Sequence, residues 1–289
     1  MSTLKLKHFY DQPTNTLTYL IFDENSYDAV IIDPVLNYDF ASSTTSTESV
    51  DELMLAIKEL HLKPKLILET HAHADHLTGA SELKKRIPGV KVGIGRGITA
   101  VQKVFKEIYN NQDWKVDGSQ FDLLLDDNQV LSVGSFQVKV ITTPGHTPAC
   151  VSFLIGDMVF TGDSLFMPDY GTGRCDFPKG SAKDLYHSVH EKLYSLADST
   201  RIFTGHDYQP GGRPLLFEST IGESKENNIQ LKASTTKEEY VEFRTARDST
   251  LSAPKLLLPS IQVNVNAGEL PLVESNGVSY LKIPVRAKE

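Results

Sequence analysis

The chain contains 289 residues, and its 29 Lys and Arg residues against 37 Asp and Glu residues leave a formal net charge of −8 at pH 7. With 40% hydrophobic and 23% charged residues, the composition is typical of a globular protein that can bury one large core. No cluster of Lys and Arg stands out, so the acidic balance argues against a nucleic-acid-binding protein. The first residues lack the apolar segment of a secretory signal, and no apolar run reaches the roughly 18 residues that span a bilayer. We therefore expect a cytoplasmic protein without a membrane partner.

Patterns of apolar residues predict alternating strands and helices through the first half of the chain. The predicted strands cover residues 17–22, 29–32, 66–68 and 92–94, and the predicted helices cover residues 50–60, 77–86 and 97–108. Ser49 and Glu52 form a capping-box pattern at the start of the first helix. Two polar stretches are expected as irregular structure: Asn37–Glu48 as an exposed loop, and Tyr109–Asp127 as a loop or lid.

The second half begins with β structure over residues 130–161, including a hairpin turn at Gly156-Asp157. Ser181 and Asp184 predict the start of a capped helix, and Arg201–Thr204 predicts a strand. Beyond residue 225 the pattern is less regular, with one helix predicted over residues 236–247. Strands that alternate with amphipathic helices predict a layered α/β architecture with a site at one rim. We expect a core over residues 1–225 and a C-terminal extension, residues 226–289, that packs on it.

The two cysteines, Cys150 and Cys175, are too few for a disulfide scaffold and form no C-x-x-C pair. A single disulfide between them is the alternative to what we expect, free or buried thiols in a reducing compartment. Cys175 lies near other candidate functional residues and is either a redox thiol or an unreactive small residue. We favour the unreactive residue.

Residues 71–76 hold three histidines and one aspartate, although the whole chain has only nine histidines. If the preceding strand continues to His71, the side chains of His71 and His73 project to the same side, because side chains alternate along a strand. Imidazoles and a carboxylate that converge from one turn suit a divalent first-row metal ion. The candidate ligands in this motif are His71, His73, Asp75 and His76.

Three further candidate ligands, His146, Asp163 and His206, each lie just beyond a predicted strand. His146 lies in a Thr-Pro-Gly-His-Thr-Pro turn, in which proline and glycine restrict the backbone and aim the imidazole. A packed core histidine is the alternative for His146 or His206 taken alone. The small residue that precedes each of them at a strand end favours metal binding.

The order of these motifs over residues 15–206 resembles the metallo-β-lactamase superfamily. The resemblance implies an α/β protein with a four-layer αββα metallo-β-lactamase sandwich and a metal site at the edge of its two central sheets. Glyoxalase II-type thiolester hydrolases share all seven ligand types and bind two metal ions, whereas persulfide dioxygenases keep these residues and use one iron ion. The segments Gly173–Phe177, Lys183–Lys192 and His206–Tyr208 resemble the persulfide dioxygenase branch. The longer segments Asn37–Glu48 and Tyr109–Gly118 resemble its bacterial, β-lactamase hydrolase-like subgroup.

Carried over residue by residue, the resemblance implies that His71, His146 and Asp163 hold one Fe(2+) per subunit, with coordination positions left open for substrate and oxygen. The remaining candidates would form the remnant of a second metal site: His73, Asp75, His76 and His206. Three further residues are candidates for catalytic or substrate contacts: Arg174, Asp176 and Tyr208. A surface Arg–Asp pair and a packed tyrosine are the alternatives for these three.

The first functional hypothesis is an iron-dependent dioxygenase that oxidises the sulfane sulfur of glutathione persulfide to sulfite with O2 and releases glutathione. The second is a dinuclear zinc hydrolase, with two Zn(2+), of glutathione thiolesters or a related ester or lactone, because ligand types alone do not exclude a metal-bound hydroxide. The third is a metal-dependent binding or sensing module without turnover. The resemblance also implies a homodimer.

Overall fold

The computed structural model describes residues 3–285 and 287. Its strands are, in chain order, β1 (Leu4–Asp11), β2 (Thr16–Asp23), β3 (Asp28–Ile32), β4 (Val35–Asp39), β5 (Thr44–Ser46), β6 (Lys63–Glu69), β7 (Leu77–Thr78), β8 (Lys91–Gly95), β9 (Leu123–Leu125), β10 (Val130–Val133), β11 (Phe136–Thr142), β12 (Val151–Ile155), β13 (Met158–Gly162), β14 (Arg201–Thr204) and β15 (Glu218–Thr220). Its helices are α1 (Glu48–Glu59), α2 (Ala80–Arg86), α3 (Ile98–Ile108), α4 (Ala182–His187), α5 (Ile221–Asn227), α6 (Lys237–Asp248) and α7 (Leu257–Asn264). A π-helical segment, Ser188–Leu193, continues α4.

Two large sheets form the centre of the molecule. The first has the strand order β1-β2-β3-β6-β8-β9, in which β1 to β3 pair antiparallel and β3, β6, β8 and β9 pair parallel. The second has the order β10-β11-β12-β13-β14-β15, with one parallel pair, β13 and β14. The predicted hairpin of β2 and β3 and the predicted turn at Gly156-Asp157 are both confirmed.

Side-chain alternation along the strands separates the layers. On β6, Leu66 and Leu68 belong to an apolar cluster shared with the second sheet, whereas Ile67 packs in the cluster that includes α1, α2 and α3. On the second sheet, Phe160 and Phe203 belong to the cluster between the sheets, where their rings stack 5.2 Å apart. The outer face of that sheet packs on α4, α5 and α6. The four-layer αββα sandwich that the sequence predicted is confirmed.

The stretch Asn37–Glu48 is not an irregular loop. Most of it forms an antiparallel hairpin of β4 and β5, and β4 also pairs with β7. The predicted capping box is wrong as well: α1 begins at Glu48, so Ser49 lies inside the helix, where its backbone N–H donates to Asn37 Oδ1 at 2.8 Å. Serine and threonine repeats alone did not distinguish a short edge hairpin from a loop.

Two further expectations require correction. The helix predicted over residues 77–86 begins only at Ala80, because residues 77 and 78 form β7. The stretch Tyr109–Asp127 is mostly a loop, as predicted, but it also contains β9, which was not predicted. Within the loop, Trp114 packs on Tyr109, whose hydroxyl donates to the Leu258 carbonyl at 2.7 Å. Helices α5 and α7 were not predicted, since both are short and lack a strong apolar repeat.

The C-terminal residues contact both outer layers. Helix α6 packs against α4, and α7 packs against β7. The predicted boundary between residues 225 and 226 falls within α5, and the division into core and extension stays a prediction. Among the described residues, no helix has the length and apolar character needed to cross a membrane.

Both cysteines are free and buried, so the alternative of a disulfide between Cys150 and Cys175 is wrong. Burial raises the pKa of the Cys150 thiol to about 12, and burial also raises the pKa of Cys175, with the Asp248 carboxylate adding to the rise. Neither thiol carries appreciable thiolate at neutral pH, which supports the interpretation of Cys175 as an unreactive residue.

We predict that neither thiol of the native protein reacts with iodoacetamide at pH 7 to 8, because the thiolate is the nucleophile and both sulfurs are buried. Mass spectrometry of the intact protein would show no added carbamidomethyl group before unfolding and two after unfolding in guanidinium. Rapid labelling of Cys175 in the native protein would contradict this assignment.

Candidate metal centre

The candidate ligands meet at the edge where several strands of the two large sheets end. Residues 71–76 follow β6, Asp163 follows β13, and His206 follows β14. Strand β6 ends at Glu69, so it does not continue to His71, and strand alternation is not what places His71 and His73. The loops still converge because parallel neighbours end at the same edge of a sheet.

The loop that carries His146 approaches α4 closely. Gly145 has φ +149°, and a Cβ on this residue would lie only 2.4 Å from Leu185 Cα. Its carbonyl accepts a hydrogen bond from the Ser181 backbone N–H at 2.7 Å. Ser181 in turn caps α4 by accepting from the Asp184 backbone N–H, as predicted. Glycine is therefore required at the turn that orients His146.

Among the described residues, three groups of potential ligand atoms form; Asp33, Glu69 and His73 make up one, and the predicted ligands make up the other two. In the first of these two, Asp163 Oδ2 lies 3.9 Å from His71 Nε2 and 3.6 Å from His146 Nε2. In the second, His206 Nε2 lies 3.3 Å from Asp75 Oδ2 and 3.4 Å from Asp163 Oδ1. Within each group the ligand atoms lie within 4.8 Å of one another, the first group being His71, His146 and Asp163 and the second His73, Asp75, His76 and His206. The two oxygens of Asp163 thus face different groups.

His73 contacts two buried carboxylates that sequence reasoning did not include in the site. Its Nε2 lies 3.1 Å from Asp33 Oδ1 and 3.4 Å from Glu69 Oε2. Burial acts to lower the pKa of His73, but the two carboxylates outweigh it and raise that pKa well above the usual value. Both ring nitrogens of His73 are buried without a hydrogen-bond partner, and Nδ1 could bind a metal ion only in the neutral ring that keeps its proton on Nε2. Asp33 follows β3 directly, and a carboxylate beside the end of a parallel strand was the signal that could have identified it.

The Nδ1 atoms of the other histidines have hydrogen-bond partners. His146 Nδ1 donates to the Arg174 carbonyl at 2.7 Å, and His206 Nδ1 donates to the Asn15 carbonyl at 3.2 Å. His71 Nδ1 lies 3.0 Å from Thr70 Oγ1, whose own proton goes to a carboxylate of Asp33. A protonated Nδ1 leaves the Nε2 lone pair free, which is the tautomer that a metal ligand needs.

Several ligand atoms are buried without any hydrogen-bond partner. They are His71 Nε2, His76 Nε2, His206 Nε2, Asp75 Oδ2 and Asp163 Oδ1. Native proteins rarely bury unpaired polar atoms, and binding of an ion by those atoms is one accepted cause. Two ligands bound about 2.1 Å from a shared ion lie roughly 3 to 3.5 Å apart, close to the separations found here. The residues present therefore fit a divalent metal ion.

Burial and the neighbouring histidines lower the pKa of His71 well below its usual value, and burial lowers that of His76. Burial favours the neutral form of Asp75, but the His206 and His76 imidazoles outweigh it and hold the pKa of this carboxyl below its usual range. Neutral imidazoles and an ionised carboxylate are the protonation states that bind metals.

Arg174 and Asp176 form a two-pronged ion pair with both N–O distances at 2.6 Å. Another guanidinium nitrogen of Arg174 donates to the Ser252 carbonyl at 2.8 Å. The surface-pair alternative is thus present in the structure, although Arg174 also lines the cavity beside the metal cluster. Its charge is already paired, so its backbone carbonyl, which binds His146, is its direct link to the candidate ligands.

Tyr208 lines the same cavity. Its ring stacks on His206 at 5.6 Å and on Tyr170 at 4.7 Å. Tyr208 is 39% exposed, yet desolvation by the surrounding atoms, with the Asp163 and Asp75 carboxylates nearby, raises its pKa well above the usual value. A neutral phenol beside the ligand cluster can donate a hydrogen bond to a bound molecule.

An ion pair of the C-terminal helix α6 supports the loop that binds His146. Arg244, on this helix, donates to Asp248 Oδ1 at 2.5 Å and to the Thr172 carbonyl at 3.3 Å, and both residues are buried. The other oxygen of Asp248 accepts from the Cys175 backbone N–H at 2.7 Å. The spacing of four residues predicts contact between these side chains on a helix, but nothing in the sequence showed that the pair is buried.

A cavity of about 1260 Å³ opens beside the ligand cluster. Asp163 and His146 line one part of it, and residues of the β4–β5 hairpin line another. No residue of the Tyr109–Gly118 segment lines it. Of the two segments Asn37–Glu48 and Tyr109–Gly118, only Asn37–Glu48 forms a wall of the cavity.

A four-layer sandwich with paired His/Asp clusters at the edge of its central sheets defines a metal-dependent class of proteins. Residues 11–206 match the metallo-beta-lactamase superfamily, and the chain belongs to that superfamily. The resemblance drawn from the sequence is thereby confirmed.

Relatives within the superfamily have different names. The chain is 50% identical over 283 residues to "Glyoxylase B2" of Dictyostelium discoideum, with 97% of each chain covered. It is 34% identical over 265 residues to the mitochondrial persulfide dioxygenase ETHE1 of Homo sapiens, which covers 91% of this chain and 88% of the relative. Among solved structures, ETHE1 from Myxococcus xanthus matches 92% of this chain and 100% of its own, with 31% identity and a TM-score of 0.73.

We predict that Asp248→Ala destabilises the protein by about 3 to 5 kcal/mol, since it leaves the Arg244 charge buried and unpaired. The metal content of the purified variant should also fall, because the 172–176 segment that binds His146 loses its anchor. Urea unfolding and metal analysis measure the two effects. Asp198→Ala, which breaks only the exposed pair with Lys225, is the matched control and should change neither. Equal effects of both variants would contradict the role of the buried pair.

Asp163→Ala is expected to abolish metal retention, because it removes the carboxylate that faces both ligand groups. His187→Ala should retain the metal, since His187 is exposed on α4 and belongs to neither group. Metal content after dialysis, with circular dichroism as the check of folding, measures both. Equal metal loss in the two variants would overturn the assignment.

Proposed function

We propose that the protein is an iron-dependent persulfide dioxygenase that oxidises the sulfane sulfur of glutathione persulfide to sulfite and releases glutathione. The balanced reaction consumes one glutathione persulfide, one O2 and one water, and it yields glutathione, sulfite and two protons. Similarity to persulfide dioxygenases at 34% identity over most of the chain supports the proposal, as does the match to the ETHE1 structure.

The observation that carries the proposal is the group of His71, His146 and Asp163 beside an open cavity. Two imidazoles and one carboxylate form the ligand set typical of non-haem Fe(II) oxygenases. When bound there, Fe(II) would supply positions for the persulfide sulfur and O2 and the electronic means to activate O2. The chain would bind one iron ion per subunit through these three residues.

The other site residues would hold and orient the substrate. Tyr208 would donate its phenol proton to a polar atom of the bound persulfide, since this residue lines the cavity and its pKa is raised. The Arg174–Asp176 pair would keep the Arg174 carbonyl aligned with His146 and thus fix the imidazole. Where a cofactor performs the difficult chemical step, the main contribution of the protein is to bind and orient the reactants.

A second candidate function is supported by the complete second ligand group. His73, Asp75, His76 and His206 are all buried or nearly so, and Asp163 faces both groups, as a bridging carboxylate would. Two Zn(2+) ions held in this way would generate a hydroxide for thiolester or lactone hydrolysis. The relative named Glyoxylase B2 is consistent with this alternative.

Metal analysis combined with oxygen uptake distinguishes the two functions. Protein purified anaerobically should contain iron near one per chain and should consume O2 on addition of glutathione persulfide, with sulfite appearing in equal amount. Asp163→Ala is the negative control. Two tightly bound zinc ions with hydrolysis of lactoylglutathione, and no oxygen uptake, would overturn the proposal in favour of the hydrolase.

Three further expectations from the sequence remain proposals: the core and extension divided near residue 225, the cytoplasmic location and the homodimer.

A binding or sensing module without turnover would be favoured if the protein retained its metal but showed neither oxygen uptake nor hydrolysis of lactoylglutathione.

A further inference from the structure

The cavity beside the metal centre is larger than the reacting atoms require. Its volume of about 1260 Å³ exceeds the roughly 300 to 1,000 Å³ of ordinary small-molecule pockets. It extends from Asp163 to the end of α6 and to the segment that joins α6 to α7. A substrate whose sulfur lies at the metal therefore has room for a long polar tail toward α6.

Among the described residues, four cationic side chains line the cavity, and they differ in what they contact: Arg174, Arg244, Arg247 and Lys255. Arg174 is paired with Asp176, and Arg244 is paired with Asp248. The Lys255 ammonium lies 5.4 Å from the centre of the Phe40 ring and is close enough to the Asp39 carboxylate to help lower its pKa. Arg247 is exposed, and within the described part of the chain its side chain makes only a 3.5 Å hydrogen bond to Thr250 Oγ1 and no ion pair.

Arg247 is connected to the metal cluster by one aromatic wall. His206, Tyr208 and Tyr170 stack in sequence, with ring centres 5.6 Å and then 4.7 Å apart. Arg247 is close enough to Tyr170 to offset part of the rise in pKa that burial causes in that phenol. A ligand lying along this wall would have its sulfur at the ligand cluster, near Asp163, and its far end near Arg247.

Acidic residues that line the same cavity already form hydrogen bonds or ion pairs with other residues of the protein. Asp39 accepts from the Ala41 backbone N–H and from Ser42 Oγ, and Glu48 accepts from Ser46 Oγ. Asp169 is paired with Arg213. The guanidinium of Arg247 is therefore left to a ligand, and a carboxylate is the group that matches its planar donors.

We propose that Arg247, assisted by Lys255, forms an anion subsite that binds a carboxylate of a peptide thiol whose sulfur lies at the metal centre. This subsite rests on the proposed function and assigns how the glutathionyl part of the substrate is recognised. Arg247 acts on binding and not on the reacting atoms. Its loss should raise KM for glutathione persulfide and leave kcat nearly unchanged.

Binding of S-methylglutathione tests the subsite without any oxygen chemistry. In isothermal titration calorimetry on the anaerobic metal-loaded protein, Arg247→Ala should bind this probe at least about tenfold more weakly, the loss expected for one hydrogen-bonded charge pair. Arg247→Lys should recover part of the affinity, because it restores the charge without the planar fork. Lys237→Ala, at the other end of the same helix and outside the cavity, is the matched control and should bind normally.

An S-methylglutathione analogue with both carboxylates amidated separates charge recognition from a general loss of structure. The amidated probe should bind the unchanged protein weakly, and Arg247→Ala should weaken it no further. Equal binding of S-methylglutathione by the Arg247→Ala variant and the unchanged protein would overturn the subsite, as would equal weakening of both probes. Arg247-dependent binding in a protein that shows no oxygen uptake would support the subsite while the dioxygenase proposal fails.

Discussion

Burial of ligand atoms without hydrogen-bond partners at one sheet edge is the constraint on which the rest of the structure depends. His71 Nε2, His206 Nε2 and Asp163 Oδ1 are removed from water and have no protein partner. Such atoms destabilise a fold unless something binds them, and a divalent cation satisfies all of them together. The surrounding structure keeps the rings in place through the opposite imidazole nitrogens: His146 Nδ1 donates to the Arg174 carbonyl, and His206 Nδ1 donates to the Asn15 carbonyl.

The support for this edge comes from segments far apart in the chain. The Asp248 carboxylate on α6 holds the Cys175 backbone N–H, and the neighbouring Arg174 carbonyl holds His146. The C-terminal helices are therefore part of the metal centre's support as well as a wall of the cavity. The same helix carries Arg244, which is buried and paired, and Arg247, which is exposed to the cavity. One element thus has both a structural arginine and an arginine free for a ligand.

The iron and zinc alternatives differ in how the two ligand groups are used. The first group has three residues and the second has four, so each group has enough ligands to hold a metal ion. Asp163 faces both groups, so one ion or two ions are compatible with the same protein atoms. The chains similar to this one include one named a glyoxylase and one named a persulfide dioxygenase, so the names of relatives do not distinguish the two functions. The metal ion that is bound and the reaction that is catalysed distinguish the two functions, because both use the same ligand residues.

The amino-acid sequence by itself determined the ligand types, their positions beyond strand ends and the layered fold, because side-chain periodicity and turn residues are local properties. Strand Arg201–Thr204 and the Ser181 cap were predicted from such patterns and are confirmed. Only the tertiary structure decided that Asp33 faces His73 and that Asp248 lies under Cys175, 73 residues away. These contacts depend on how sheets and helices pack across long stretches of chain, and no local pattern encodes that packing.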